Sequence, residues 1–194
     1  NFAKLILTKE FQNTVVIPTI PQADGEKIIL DAAFLHDLID SKYMEEASGL
    51  EVLVNVLARH SYRYIPEIVG IITTMSFSKR NARLKAGLQM IPPGPLNLAT
   101  MIVVDADQLD AYDVSRCITF QDSKYRSSKY TSMSEAERQR HARNWCKTIL
   151  VRRILRYRDE FMNTMTGREL AAQLHPGVEE YVMANFADAE VLEY

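Results

Sequence analysis

The stretch that decides the fold is Ser134-Glu-Ala-Glu-Arg-Gln-Arg-His-Ala-Arg-Asn-Trp-Cys-Lys-Thr-Ile-Leu-Val-Arg-Arg-Ile-Leu-Arg-Tyr-Arg-Asp-Glu-Phe-Met-Asn-Thr164. It opens with Ser134 and Glu137 at capping-box spacing: a Ser hydroxyl accepts one orphan amide of a helix start, and a Glu three residues on reaches back to another. At 100° per residue the apolar side chains fall on two stripes. Ala142, Cys146, Ile149, Leu150, Ile154, Tyr157 and Phe161 form a broad one; Val151, Leu155 and Met162 form a narrow one. Arg138, Arg152 and Arg156 fill one gap, and Arg140, Lys147 and Arg158 fill the other. A helix apolar on two faces packs against two layers. The spacing therefore predicts a long helix running to about Thr164, central to the domain or shared with another subunit, with Trp145 and Ile149 in the core.

Working outward, Thr166-Gly-Arg-Glu169 reads as the next helix start, with Leu170, Leu174, Val178, Tyr181, Val182 and Phe186 apolar across a break at His175-Pro-Gly177. Thr166 to Phe186 overlays a helix-turn-helix, but its groove-facing element would begin Val178-Glu179-Glu180, and carboxylates against phosphates are unfavourable. Two packed helices are expected instead. Upstream, Ile28 to Ile39, Lys42 to His60 and Ser78 to Met90 have helical spacing. Within Lys42 to His60, Gly49 weakens the helix, and the run from Leu50 to Leu57 is apolar nearly all round, which predicts burial on several sides. The β-branched runs Thr14 to Ile17, Met101 to Val104 and Cys117 to Phe120 read as short strands, Ile65 to Thr74 is ambiguous, and Gln121 to Ser134 reads as an exposed loop. The expected fold class is mainly α, an α+β chain with a minor β component around a long central helix. The 194 residues are expected to form one domain, 1–194, with an internal linker at Pro92-Pro-Gly-Pro95, residues 91–96.

Composition narrows the class. Hydrophobic residues at 47% and charged residues at 25% are ordinary globular values, so neither disorder nor a fibrous repeat is expected. The apolar runs 50–58 and 65–75 are far shorter than the ~20 residues of a membrane span. Starting at Asn1 without an initiator Met, the chain is expected to be trimmed or processed. Cys117 and Cys146, the two cysteines, stand in apolar surroundings and read as buried thiols of a reducing, intracellular (cytoplasmic) setting or of a virion or other assembly. The net charge of −2 hides a segregation: residues 1–58 hold four Lys against nine acids, for −5; residues 59–158 hold eighteen cations against eight acids, for +10; residues 159–194 hold one Arg against eight acids, for −7. A +10 block attracts a polyanion, the acidic ends of a neighbouring copy, or the chain's own ends.

Met101-Ile-Val-Val-Asp105-Ala-Asp107-Gln-Leu-Asp110 places carboxylates after an apolar run, as hard-metal sites do. Over about a dozen residues, to Asp113, this resembles the first motif of PIN-type nucleases, and more distantly the Asp-x-Asp loop of haloacid-dehalogenase-type phosphatases. The resemblance implies a strand-end Mg²⁺ or Mn²⁺ site with Asp105 as first ligand and Asp107 and Asp110 beside it. No phosphate-cradling loop, His-Glu-x-x-His, Cys-x-x-Cys or Gly-x-Ser-x-Gly occurs in the sequence. The candidate contacts to nucleic acid or another anion are Lys124, Arg126, Lys129, Arg138, Arg152 and Arg156, since cations neutralise phosphates while the interleaved Tyr125 and Tyr130 offer stacking surfaces.

The reading that fits these features is a non-enzymatic assembly or structural protein with no cofactor. It forms an oligomer or larger particle, a viral or phage structural component or nucleoprotein in kind, with protein subunits, copies of itself and nucleic acid as the expected partners. The alternative is a metal-dependent nuclease or phosphatase built on Asp105.

Overall fold

A computed structural model describes residues 2–39, 45–60, 62–127 and 130–193. Among them the chain is mainly α, with nine α-helices and no strand. It divides into two compact units, Asn1–Asp107 and Gln108–Tyr194, and the division falls within one helix. Among the described residues no helix is long and apolar enough to cross a membrane.

The first unit contains α1 (Phe2–Glu10), α2 (Gln22–Leu35) with a 3-10 turn at His36–Ile39, α3 (Glu46–Arg59), α4 (Ile65–Thr74), α5 (Phe77–Lys85) and most of α6 (Asn97–Asp110). Its core is built from residues at helical spacing: Ala3, Ile6 and Leu7 of α1, Ile28, Ile29 and Ala32 of α2, Leu53 and Leu57 of α3, and Ile68, Ile71 and Ile72 of α4. The run 91–96 joins α5 to α6 inside this unit, without helix.

The short strands expected from sequence are absent. Thr14 to Ile17 is bent chain without a ladder, Met101 to Val104 lies in α6 and Cys117 to Phe120 lies in α7; Ile65 to Thr74, ambiguous between helix and strand in the sequence, is α4. The reason is one of magnitude. A β-branched residue costs a helix no more than about 0.7 kcal/mol relative to Ala, whereas burying an Ile or Val side chain gains roughly 1.5–3 kcal/mol. Ile102, Val103 and Val104 are all buried, so α6 presents successive rather than spaced apolar residues to the interior, and the run imitates a strand.

α3 differs from expectation in its surface. Of the expected span, residues 42–44 lie outside the described ones. Gly49, Leu53 and Leu57 form one buried stripe, but Val52 and Val56 are 41% and 37% exposed, so α3 is covered on one side rather than several.

The second unit holds α7 (Val114–Arg126), α8 (Glu135–Arg152), a 3-10 turn at Ile154–Arg156, a π-helical turn at Tyr157–Phe161 and α9 (Met165–Asn185). The capping box at α8 is complete: Ser134 Oγ accepts from the Glu137 amide at 3.3 Å, and Glu137 accepts from the Ser134 amide at 2.8 Å. Ser134→Ala should therefore lower the stability of this unit by about 1 kcal/mol, measured as a shift of the urea midpoint. A shift indistinguishable from zero would mean the cap is dispensable.

The long helix ends earlier than its stripes suggest. α8 stops at Arg152; Arg153 leaves helical geometry at φ −127°, ψ −63°. The 3-10 and π turns that follow still bury Ile154, Tyr157 and Phe161 at spacings of three and four, so the apolar pattern survives where the α-helix does not. Trp145 and Ile149 are only half-buried, while Cys146 and Leu150 are buried. α9 runs unbroken through Pro176. Its buried stripe of Ala171, His175, Val178 and Val182 keeps phase across the proline, and the carbonyl that Pro176 leaves unserved belongs to the exposed Ala172. Gln121 to Arg126, expected as loop, is the last part of α7.

Candidate interaction surfaces and the pocket of the second unit

Among the described residues, the cations singled out in the sequence have different surroundings. Lys124 sits over the rings of Tyr125 and Trp145, 5.5 and 5.4 Å from their centroids. Arg156 is clamped to the Glu160 carboxylate through Nε and Nη2, one helical turn away. Arg152 is exposed at the end of α8, and Lys129 lies outside the described residues. Arg126 and Arg138 alone of the set share a lining, that of the pocket described below. Two of the cations of α8 meet the C-terminal segment. Arg143 holds Asp188 at 2.6 Å and the Asn185 carbonyl at 2.8 Å, and Lys147 donates to the Ala189 carbonyl at 2.7 Å. One turn apart on the same helix, Asn144 and Thr148 accept from the amides of Glu190 and Leu192 at 3.1 and 2.8 Å. The C-terminal segment is thus stitched along α8, residue by residue. Arg126, Arg140 and Arg152 are exposed and make no ion pair among the described residues.

Asp105, Asp107 and Asp110 do not end a strand; they ride on α6. Successive steps of two and three residues rotate them by about 200° and 300° around the axis, so they cannot face one ion as strand-end ligands do. Asp105 is fully buried, Asp107 accepts from His36 and Asp110 is exposed, 3.8 Å from Arg116. Among the described residues no three His, Cys, Asp or Glu groups are placed to hold a metal ion.

The His36 contact has a pH consequence. Its Nε2 lies 3.2 Å from Asp107 and 3.4 Å from Asp37, and Nδ1 lies 2.9 Å from the Ala33 carbonyl. Burial alone would lower the imidazolium pKa, and is the largest single influence; the Asp107 hydrogen bond and the charges of Asp107 and Asp37 together outweigh it and raise the pKa from 6.5 to about 9. A folded pKa above the unfolded one gives stability that is complete below pH 6.5 and is lost as pH rises through about 9. The melting temperature of the wild type should fall across that window while that of His36→Gln stays flat. Parallel curves for the two proteins would remove His36 as the cause.

The two cysteines, distant in sequence, meet across α7 and α8 with Sγ atoms 3.5 Å apart, both as free thiols. The hydrogen bond from Cys146 to Cys117, together with burial, pushes the Cys146 thiol pKa up, so it stays protonated and non-nucleophilic.

Beside them lies a pocket of about 330 Å³, formed entirely within the second unit. α7 lines it with Ile118, Gln121, Asp122, Tyr125 and Arg126, residues at i, i+3, i+4, i+7 and i+8 of one face. α8 adds Glu135, Arg138, Gln139, Ala142, Arg143 and Cys146, and the end of α9 closes it with Tyr181, Asn185 and Phe186. Arg138 pairs with Glu135 at 2.8 Å through Nη2, and its Nε is buried with no hydrogen-bond partner among the described residues. Gln121 is buried too, and its Oε1 has no hydrogen-bond partner among the described residues. Reading Gln121 to Ser134 as a loop hid this site. The signal was the i, i+3, i+4, i+7 spacing of Ile118, Gln121, Asp122 and Tyr125, which mixes polar and apolar groups and so lacks the contrast that marks an amphipathic helix.

Comparison with known proteins adds no family: no family model matches the chain, and no curated protein or solved structure matches it. The class rests on the fold and the site, a helical protein of two compact units whose second unit carries a three-helix pocket.

Proposed function

We propose that the chain is a non-enzymatic assembly protein whose copies associate head to tail, the acidic first segment of one against the basic surface of the next. The observation that carries this is the set of apolar side chains left open in the acidic segment. Phe34 on α2 is 84% exposed, Val15 is 57% exposed, and Val52 and Val56 stand one turn apart on the outer side of α3. Leaving a phenyl ring in water forgoes roughly 1.5–3 kcal/mol that a partner surface would recover. Charge selects the partner. The same segment, 1–58, carries −5, and Arg126, Arg140 and Arg152 of the +10 block are exposed without ion pairs among the described residues. Two unlike surfaces meeting in this way make a heterologous contact, which closes into a ring or grows into a filament. A shell or nucleoprotein component of a virus or phage is the particle-forming version of this reading.

The test is molar mass by light scattering as a function of salt. The expected result is a multiple of the single-chain mass at low salt that falls toward one chain at 1 M, where the Debye length has shrunk from about 10 Å to about 3 Å. Phe34→Ser combined with Val56→Asp should give single chains at every salt. A wild type that is a single chain at all salts and concentrations overturns the proposal. The same three arginines support a second reading, contact with nucleic-acid phosphates. That reading gains if a polynucleotide binds with a constant falling log-linearly in salt, by about 0.7–0.9 per contact neutralised.

A further inference from the structure

We propose that Cys117 and Cys146 are a redox-active pair: offered a small disulfide such as oxidised glutathione, they close reversibly into a disulfide that staples α7 to α8 within the second unit. The geometry carries this. The two sulfurs are 29 positions apart in the chain but stand 3.5 Å apart in space. A disulfide bond is about 2.05 Å long, so each sulfur has to travel only roughly 0.7 Å. Both side chains are unbranched, and rotation about the Cα–Cβ bonds supplies that movement with the helices left in place. A metal ion is the other use for two adjacent thiols, but structural zinc takes four ligands. Among the described residues no third His, Cys, Asp or Glu is placed to complete such a set. The chemistry the pair can do is therefore between its own two sulfurs.

The sulfurs have different roles. Cys146 is buried and donates its S–H to Cys117, which is only half-buried and so within reach of a solute. A donor on a sulfur stabilises its thiolate, the nucleophile of disulfide exchange, which makes Cys117 the attacking group. In the first step Cys117 Sγ bonds to one sulfur of the small disulfide, whose S–S bond breaks; the departing thiolate takes up the proton that Cys117 has lost. In the second, Cys146 Sγ attacks Cys117 Sγ, the mixed disulfide breaks, and the second small thiol leaves with the proton of Cys146. The pair has lost two electrons and two protons, and the small disulfide has gained them. The order is enforced by the hydrogen bond to Cys117, which is the largest influence holding the proton on Cys146, with burial and the charge of Cys117 adding to it. Once Cys117 is bonded to another sulfur it carries no charge, while the Arg143 guanidinium, which acts in the opposite direction, is still there.

The experiment incubates the full chain with oxidised glutathione and reads intact mass and free thiols, before and after dithiothreitol. The expected product is lighter by two hydrogens, has no free thiol and no bound glutathione, maps as a Cys117–Cys146 link, and returns to two thiols on reduction. Its melting temperature should exceed that of the reduced chain by about 5 °C or more, because the cross-link restricts mainly the unfolded chain. Cys146→Ser keeps the attacking sulfur and should accumulate a mixed disulfide with glutathione at least tenfold faster than Cys117→Ser. The wild-type mass and thiol count need no variant to fold. The proposal is overturned if the wild type keeps both thiols, if glutathione stays bound to either cysteine, if the link joins two copies, or if the melting temperature does not rise. Equal rates for the two variants overturn the assignment of Cys117 as the attacking sulfur.

Discussion

Gly49→Ala is expected to destabilise the first unit by about 2 kcal/mol or more, although in an isolated helix the same change would stabilise by about 1 kcal/mol. A Cβ built on Gly49 would stand 2.5 Å from the Leu38 carbonyl oxygen and 2.9 Å from the Ile39 Cα, closer than real Cβ contacts come. Both are backbone atoms, so nothing can swing aside; α3 has to move off the 3-10 turn, and the overpacking cost of about 1–3 kcal/mol or more exceeds the propensity gain. Gly177→Ala is the matched control. It also lies inside a helix, α9, but a Cβ there meets nothing within 4 Å, so it should raise stability by about 0.4–1 kcal/mol. Urea unfolding of the two variants should give midpoint shifts of opposite sign. Equal shifts would show that α3 does not approach the turn so closely.

Phe161→Ala should cost the second unit about 3–5 kcal/mol, the largest loss expected of any single truncation here. The ring is fully buried at the end of the π turn, edge-on to Tyr157 at 6.2 Å, with the Arg156 guanidinium 5.2 Å from its centroid. Truncation opens a cavity that the neighbouring helices cannot collapse into, and removes the aromatic contact as well. Phe34→Ala removes the same atoms from an 84% exposed site and should change stability by less than about 0.5 kcal/mol while reducing self-association. A small effect at Phe161, read as the denaturant midpoint, would place that ring outside the core.

The capping box at Ser134 was legible because its partners are three residues apart, and local chemistry suffices to form it. The break after Arg152 was not: Ile154, Tyr157 and Phe161 keep near-helical spacing whether the backbone is α, 3-10 or π, so periodicity cannot register the change. The Pro176 misreading has a related origin, since a lost hydrogen bond on an exposed face is outweighed by a buried stripe that continues in phase.

By itself the sequence determined the mainly helical class, the start of α8 and the segregation of charge, all of which depend on neighbours within a turn or on simple counts. Tertiary structure alone decided the rest. It turned Met101 to Val104 into helix, because burial of several apolar residues outweighs a small β preference at each. It laid the acidic C-terminal segment along Arg143 and Lys147, more than 40 residues back in the chain. And it brought Gln121 and Arg138 into one pocket wall, because a site made of groups on separate helices exists only once those helices have packed.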